Sequence, residues 1–140
     1  MKKDRSNQSS TSNGDLSLPR KKILRGRKNF QRLFEKDAHI IRGRVLALRY
    51  QIINKTSSGC LMGFIVKKSL GKAHKRNRMK RLLREAYRRH QHIVTDSLSN
   101  VQRTLHGVLM ARQIDATYTD VESDVKKVLT QLRDQLPTIS

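Results

Sequence analysis

The stretch GFIVKKSLGKAHKRNRMKRLLREAYR, residues 63–88, decides how this chain folds, because an apolar strand pattern gives way there to a basic helix pattern. From residue 75 onward, apolar side chains recur at three- and four-residue intervals, the spacing that places them on one face of a helix. This apolar stripe contains Met79, Leu82, Leu83, Ala86, Tyr87 and His90. The stretch therefore predicts an amphipathic helix whose one face enters a core while the other presents cations.

The basic helix has almost no acidic partners of its own. Residues 67–90 hold eleven lysine or arginine residues and one acidic residue, Glu85. The whole chain shares this excess, with 31 Lys and Arg against 11 Asp and Glu, a net charge of +20 in 140 residues. Ordinary solvated helices balance such cations with carboxylates three or four positions away. Nucleic acid is the expected partner, because Arg and Lys bind phosphate oxygens, and an anionic membrane surface is the second alternative.

The segments before the basic helix predict a short helix followed by strands. Residues 28–36 have a helical period, and their apolar face holds Phe30, Leu33 and Phe34. Residues 40–53 alternate apolar and mixed side chains, and residues 60–66 form a second apolar strand pattern. Residues 54–59 have the composition of a turn. We expect the two strands to pair as a hairpin or a meander.

The segments after the basic helix predict one more strand and one more helix. Residues 91–104 are polar and lack a clear period, so we expect irregular structure there. Residues 105–111 form a short apolar run that suits a buried strand. Residues 119–136 predict an amphipathic helix, whose apolar face holds Val121, Val125, Val128, Leu129, Leu132 and Leu136.

A single domain preceded by a tail accounts for the chain. Residues 1–18 are mostly Ser, Asn, Thr, Gly and charged residues, which bury too little apolar surface to fold, so we predict a disordered polar tail. Residues 19–137 are expected to form one α+β domain, a sandwich in which one mixed sheet packs against helices. We expect Thr119 or Asp120 to cap the last helix and Pro137 to end it.

The sequence also bears on where the protein works. It contains no run of 18 apolar residues, so no membrane-spanning segment is expected, and the N-terminus lacks the apolar centre of a secretory signal. A cytoplasmic protein is therefore expected. Cys60 is the single cysteine, so we expect no intrachain disulfide, and its apolar surroundings predict a small buried side chain.

We expect no catalytic residue and no metal site in the protein itself. A metal-dependent nuclease needs clustered carboxylates, and the better role for Glu85 is to pair with an arginine on its own helix. Asp120 and Asp124 lie one turn apart, but acidic residues near a helix start interact with the helix dipole without a metal. The histidines are scattered along the chain at His39, His74, His90, His92 and His106.

Residues 63–88 resemble the signature of the bacterial ribonuclease P protein component. In that signature a strand ends in a basic turn, followed by glycine, alanine, an Arg-Asn-Arg core, Lys-Arg and Arg-Glu, and this pattern fits here without a gap. The positions that match its RNA-binding motif are Lys68, Lys72, Arg76, Asn77, Arg78, Lys80, Arg81 and Arg84. Lys67 and Ser69 depart from the pattern, since the family usually has Ser or Ala at the first and a basic residue at the second.

The resemblance implies the small subunit of ribonuclease P, the enzyme that removes the 5′ leader from precursor tRNA. It implies that an RNA subunit carries the active site, and that Mg²⁺ is held by this RNA and the substrate. The protein would bind the RNA as a 1:1 ribonucleoprotein and contact the leader of precursor tRNA. The resemblance also implies a left-handed βαβ crossover around the basic helix, although right-handed crossovers are the general rule.

A leader-binding cleft is also implied by the resemblance. Its expected residues are Phe30, Phe34, Leu48, Tyr50 and Lys67. Leu48 stands where some family members have a tyrosine, and Tyr50 shares its strand face. The spacing of the two phenylalanines favours the core, whereas the resemblance favours stacking on bases of the leader, and both interpretations stay open.

Two other functions fit part of the pattern. A ribosomal protein or general RNA chaperone would share the size and charge, but not the full signature at residues 63–88. A DNA-binding regulator would need a short helix and turn before its recognition helix, whereas an apolar strand and a glycine-containing loop stand there. The ribonuclease P subunit is the expected function, with a general RNA-binding or ribosome-associated protein as the alternative.

Overall fold

The computed structural model describes residues 16–53, 59–101 and 103–139. Most of the predicted tail, residues 1–15, and most of the predicted turn, residues 54–58, lie outside the described residues. Leu18 was assigned to the tail, but it is 8% exposed and packs in the main core. The folded domain therefore begins before residue 19, because burying this leucine removes apolar surface from water.

The described residues form four strands and four α-helices. The strands are β1 (His39–Arg42), β2 (Leu46–Ile53), β3 (Gly59–Ile65) and β4 (Thr104–Ala111). The helices are α1 (Arg27–Arg32), α2 (Ala73–His90), α3 (His92–Val101) and α4 (Tyr118–Ile139). Short 3-10 helices at Arg20–Lys22 and Lys68–Leu70 precede α1 and α2. One mixed sheet packed with helices confirms the predicted α+β class.

Strand β4 lies inside the sheet, which has the order β1-β2-β4-β3. It pairs antiparallel with β2 and parallel with β3. The predicted pairing of the strand at residues 40–53 with the strand at residues 60–66 is therefore wrong. The physical reason is that β4 is buried at every position except the half-buried Met110, and a strand buried on both faces suits the middle of a sheet. The handedness of the crossover from β3 to β4 stays a prediction.

The sheet separates a large core from a small one. Leu48 and Tyr50 of β2 belong to the large core, together with buried residues of α2, α3 and α4. The small core on the other face comprises Leu24, Leu33 and Val108. Because successive strand residues face opposite sides, this division fixes which strand residues can reach the α1 side.

Helix α3 lies where the sequence predicted irregular structure. Val94 and Leu98 are fully buried, one turn apart, and the helix packs against α4. Serine, threonine and asparagine around them weaken the helical signal, because their side chains compete for backbone hydrogen bonds. Burial of the apolar face stabilises this helix in spite of its composition.

A reciprocal cap formed by Thr117 and Asp120 begins α4. The Asp120 N–H donates to Thr117 Oγ1 at 3.1 Å, and the Thr117 N–H donates to Asp120 Oδ2 at 3.3 Å. Thr117 is therefore the N-cap, and the predicted cap at Thr119 or Asp120 is wrong. The helix continues to Ile139, so Pro137 does not end it and only removes one N–H donor from the last turn. The predicted apolar face is confirmed, since it buries Val121, Val125, Val128, Leu129, Leu132 and Leu136.

Asp124 joins α4 to the turn between β1 and β2. Its carboxylate accepts hydrogen bonds from the N–H groups of Arg44 at 3.2 Å, Val45 at 2.8 Å and Leu46 at 3.1 Å. The residue is 5% exposed. A Cβ atom at Gly43 would collide with this carboxylate, so glycine permits the close approach. The carboxylate thus satisfies donors that would otherwise be buried without an acceptor.

We expect Asp124→Ala to lower the free energy of unfolding by about 2–4 kcal/mol, because three N–H groups lose a charged acceptor. Urea unfolding followed by far-UV circular dichroism measures the change. Asp134→Ala is the matched control, since Asp134 lies on the same helix and makes an exposed pair with Arg133, an interaction that contributes little. Equal unfolding midpoints for the two variants would contradict this role of Asp124.

Candidate nucleic-acid interface

Helix α2 has an apolar face in the core and a polar face in solvent. The buried part of the predicted stripe comprises Met79, Leu83, Ala86 and Tyr87. At its border lie the half-buried Leu82 and His90. The exposed face carries Asn77, Lys80, Arg81 and Arg84. Spacings of three and four residues keep these four side chains on one side of the helix.

A cavity of about 450 Å³ lies between this exposed face of α2, strand β3 and the segment that leads into α1. Its apolar floor is formed by Ile23, Leu24, Phe30, Gly63 and Phe64. Its rim is formed by Asn77, Lys80, Arg81 and Arg84. We call it the basic cavity. The floor suits an unstacked base and the rim suits a phosphate, so the two together suit a nucleotide.

Phe30 reaches the floor because strand β3 has a glycine beneath the ring. A Cβ atom at Gly63 would lie 2.7 Å from Cε1 and Cζ of Phe30, so the ring lies directly against the strand backbone. Phe30 is half-buried and also packs on the small core that contains Leu33. It is therefore both a core side chain and part of the floor of the basic cavity, and its stacking on bases of the leader stays a prediction.

Phe34 is 44% exposed and lies outside the basic cavity, against Arg49 of β2. The Arg49 Cζ atom is 5.0 Å from the centre of the Phe34 ring, within cation–π range. Arg49 Nη1 also donates to the Leu33 carbonyl at 3.3 Å, which holds the guanidinium in place. The ring and the guanidinium together offer a surface on which a base can stack. Sequence reasoning missed Arg49, although its phase opposite to the large apolar residues of β2 was a signal.

Leu48 and Tyr50 do not lie in a cleft on the α1 side, so their predicted assignment is wrong. Both are fully buried in the large core, and the Tyr50 hydroxyl donates a hydrogen bond to Gln135 Oε1 of α4. Burial raises the pKa of the Tyr50 phenol, which keeps it a neutral donor. Successive side chains of a strand face opposite sides of the sheet. Leu48 and Tyr50 therefore face the large core, whereas Arg49 faces the α1 side.

The Arg-Asn-Arg motif points in three directions. Asn77 lies on the rim of the basic cavity. Arg76 turns back toward the start of α2, where its Nε donates to the Gly71 carbonyl at 3.0 Å. Arg78 is exposed on a third side of the helix, since successive residues are rotated by about 100°. The motif therefore spreads its cations around the start of α2.

The other predicted lysines form an exposed group that precedes α2. Lys67 follows β3, Lys68 begins the 3-10 helix, and Lys72 is the N-cap residue of α2. The residues that line the basic cavity do not include any of these three lysines. Lys67, which the sequence assigned to the leader cleft, therefore lies with the lysines at the start of α2.

The acidic groups on α2 and α4 are engaged by partners outside the basic cavity. Glu85 accepts from Arg88 Nη2 at 2.8 Å and from Arg88 Nε at 3.0 Å, which confirms the predicted local pair and lowers the pKa of Glu85. Glu122 Oε2 lies 2.9 Å from His90 Nε2, and this contact lowers the pKa of Glu122. These two carboxylates therefore do not pair with the cations of the cavity rim, which are available to an external anion.

Cys60 is a structural residue. It is 6% exposed, and the Tyr87 hydroxyl donates to its Sγ at 3.2 Å. Burial raises the pKa of the thiol to about 11, so the thiol is neutral near pH 7 and a poor nucleophile. The predicted role as a small buried apolar side chain is confirmed.

The two aspartates at the start of α4 have structural roles, Asp120 in the helix cap and Asp124 in the β1–β2 turn. Across residues 16–53, 59–101 and 103–139, no three His, Cys, Asp or Glu side chains lie together as a metal site would require. Over the same ranges, no helix is both long and apolar enough to cross a membrane.

Sequence reasoning missed most of the apolar floor. Ile23 forms an isolated parallel bridge to Met62, and the Leu24 N–H donates to the Met62 carbonyl at 3.1 Å. These contacts dock the segment before α1 along the edge of β3 and bring both side chains into the floor beside Phe64. The only sequence signal is the apolar pair Ile23 and Leu24 among basic residues. A segment that docks onto the edge of a distant strand shows no helical or strand period in its own sequence.

Comparisons with known proteins match more than half of this chain. The family model described as Ribonuclease P matches residues 18–133. The ribonuclease P protein components of Chlamydia felis and Chlamydia caviae are 36% and 35% identical to this chain over 77 residues. Each match covers 54% of this chain and 53% of the relative, so the chain spans about half the length of these two relatives.

Solved structures give the same fold. The RNase P protein of Staphylococcus aureus, 25% identical, matches with a TM-score of 0.64 over 79% of this chain and 94% of that chain. The RNase P protein of Thermotoga maritima, 21% identical, matches with a TM-score of 0.62 over 78% of this chain and 96% of that chain, and supports the fold alone. Since the family model covers the sheet, the basic helix and most of α4, the chain belongs to the Ribonuclease P family.

Proposed function

We propose that this chain is the protein subunit of ribonuclease P, which binds the catalytic RNA and the 5′ leader of precursor tRNA and aids removal of that leader. The observation that carries the proposal is the basic cavity, in which cations of α2 surround an apolar floor. Membership of the Ribonuclease P family supports the reaction. The cations of the cavity rim and the apolar floor support an RNA ligand.

The cations of α2 supply affinity for the RNA subunit. Lys and Arg neutralise phosphates and release counterions, so binding is strong at low salt and weakens as salt rises. Arg78 and Lys72 are exposed and do not line the basic cavity, so the cations near the start of α2 are not confined to the cavity rim. A folded RNA presents phosphates in more than one plane, which suits this distribution.

An unpaired 5′ leader can use both aromatic surfaces on the α1 side. Phe30 in the cavity floor and the Phe34–Arg49 pair offer successive stacking surfaces. Base–aromatic stacking contributes about 1–3 kcal/mol per base and tolerates different bases. Such a contact accommodates leaders of differing sequence, because each base has a π-face.

Catalysis belongs to the RNA subunit in this proposal, and Mg²⁺ is held by the RNA and the substrate. Two carboxylates of the protein support this division, because Glu85 pairs with Arg88 and Asp124 binds the β1–β2 turn. The protein adds positive potential where substrate and catalytic RNA bring phosphates together. We further propose one protein for each RNA, acting in the cytoplasm where precursor tRNA is processed.

Reconstitution with a bacterial ribonuclease P RNA at low Mg²⁺ is expected to speed removal of the leader over the RNA alone. The reason is that the protein supplies cations that scarce Mg²⁺ would otherwise provide. Denaturing gel electrophoresis of the released leader measures the rate, and the protein without RNA is expected to leave the precursor intact. Cleavage by the protein alone would reveal a protein active site, and no gain over the RNA alone would favour a general RNA-binding function.

The double variant Arg81→Gln/Arg84→Gln is expected to bind ribonuclease P RNA more weakly and with a flatter salt dependence. The slope of log K against the logarithm of the salt concentration should fall by about 0.7–0.9 for each phosphate that the variant no longer neutralises. Fluorescence anisotropy over a series of KCl concentrations measures it. The control Lys126→Gln/Arg133→Gln removes the same charge from exposed positions of α4 and should keep the wild-type slope. Equal slopes for both variants would exclude this α2 face from the RNA-binding surface.

Phe34→Ala in the reconstituted holoenzyme is expected to weaken binding of precursor tRNA about 5- to 150-fold, the equivalent of one stacked base. Binding of mature tRNA, which lacks the leader, should not change. Equilibrium binding of both tRNAs measures the difference. Leu16→Ala is the control, because Leu16 and Phe34 are both 44% exposed apolar side chains. Equal reductions for precursor and mature tRNA would argue against stacking on the leader.

A further inference from the structure

The last residues of β1, β3 and β4 and the first residue of β2 lie at one end of the sheet. Arg42 at the end of β1 pairs with Ala47, near the start of β2. The start of β2 pairs with Ala111, the last residue of β4, and β4 in turn pairs with Ile65 at the end of β3. The segments that leave these strands therefore lie side by side, although they are distant in sequence.

Each of these segments carries exposed cations. They are Arg42 and Arg44 at the β1–β2 turn, Arg112 after β4, and Lys67 and Lys68 after β3. We call these five residues the sheet-end rim. With strands about 4.8 Å apart, three strand spacings give the rim a width of about 14 Å. Only its two lysines belong to the segment that resembles the family signature, so the three arginines are a separate feature.

Hydrogen bonds hold the backbone that carries the arginines of the sheet-end rim. The Arg112 guanidinium donates from Nη1 to the Gly43 carbonyl at 2.7 Å, and the Arg112 N–H donates to the Val45 carbonyl at 2.8 Å. Asp124 holds the same turn from below through three backbone N–H groups. Side chains on such a backbone lose less freedom when a ligand binds than side chains on a mobile loop.

Acidic side chains of the described residues do not balance the cations of the sheet-end rim. Among the described residues, none of the five rim cations forms an ion pair with a carboxylate within 4 Å. Asp124 is buried and its oxygens face backbone donors. Asp115, the acidic residue next along the chain from Arg112, lies 3.9 Å from Lys75 of α2. A row of cations without local anions favours an external polyanion.

We propose that the sheet-end rim binds the phosphate backbone of ribonuclease P RNA and extends the RNA contact from α2 across the sheet to the β1–β2 turn. This inference rests on the proposed function. Residues 42–45, 65–68 and 111–115 contain no aromatic side chain, so the sheet-end rim has no aromatic surface for base stacking. The contact is therefore made to phosphates, whereas the basic cavity also offers an apolar floor to a base.

The test compares Arg42→Gln/Arg44→Gln with Lys126→Gln/Arg133→Gln, which removes an equal charge from α4. Binding of the full chain to ribonuclease P RNA is measured by anisotropy over a series of KCl concentrations. The rim variant should bind more weakly, with a salt slope reduced by about 0.7–0.9 for each phosphate left without its arginine, while the control keeps the wild-type slope. Arg42→Lys/Arg44→Lys keeps the charge and should restore the slope, and thermal unfolding checks that each variant is folded.

Three results would overturn the proposal. The first is a rim variant that matches the control while Arg81→Gln/Arg84→Gln still weakens binding, which leaves the proposed function in place. The second is a wild-type protein that binds ribonuclease P RNA no better than an unrelated RNA of equal length, which removes both. The third is a rim variant that loses binding to phosphatidylserine vesicles and keeps its affinity for RNA, which assigns the rim to a membrane surface.

Discussion

The parallel pairing of β3 with β4 is the constraint on which the rest of the domain depends. Two adjacent parallel strands run in the same direction, so the chain must travel from the end of β3 back to the other end of the sheet before β4 can begin. Helices α2 and α3 make this return, which places α2 beside the edge of β3 with its cations toward the segment before α1. A hairpin between β2 and β3 would not require that return, and the cations of α2 would have no fixed position relative to Phe30.

Periodicity was sufficient for elements with a strong apolar face and failed where composition hid that face. The stripes of α2 and α4 were predicted almost residue by residue, because helical spacing is visible within the segment itself. Val94 and Leu98 of α3 have the same spacing, but polar neighbours obscure it. Strand partners are a different case. Whether β2 or β4 lies beside β3 depends on burial across the whole sheet, and this cannot be seen in the sequence of any one strand.

The site was predictable in its charges and less so in its geometry. The family signature located the cations, and helical spacing groups Lys80, Arg81 and Arg84 on one face. Strand phase was visible in β2, where Leu48 and Tyr50 alternate with Arg49, but the sequence did not show which face of the strand lies toward α1. The floor depends on the docking of Ile23 and Leu24 onto β3, a long-range contact without a local signal.

The basic cavity has walls from two parts of the chain that meet only after folding. Leu24 and Phe30 come from the N-terminal segment, held to β3 by the hydrogen bond to Met62 and by the contact of the ring with Gly63. A ligand can bind in the cavity only when the N-terminal segment of the protein is docked on β3. Thermodynamic linkage therefore adds the binding free energy of the ligand to the stability of the docked state. Occupancy of the cavity and order in the N-terminal segment are therefore two readouts of a single equilibrium.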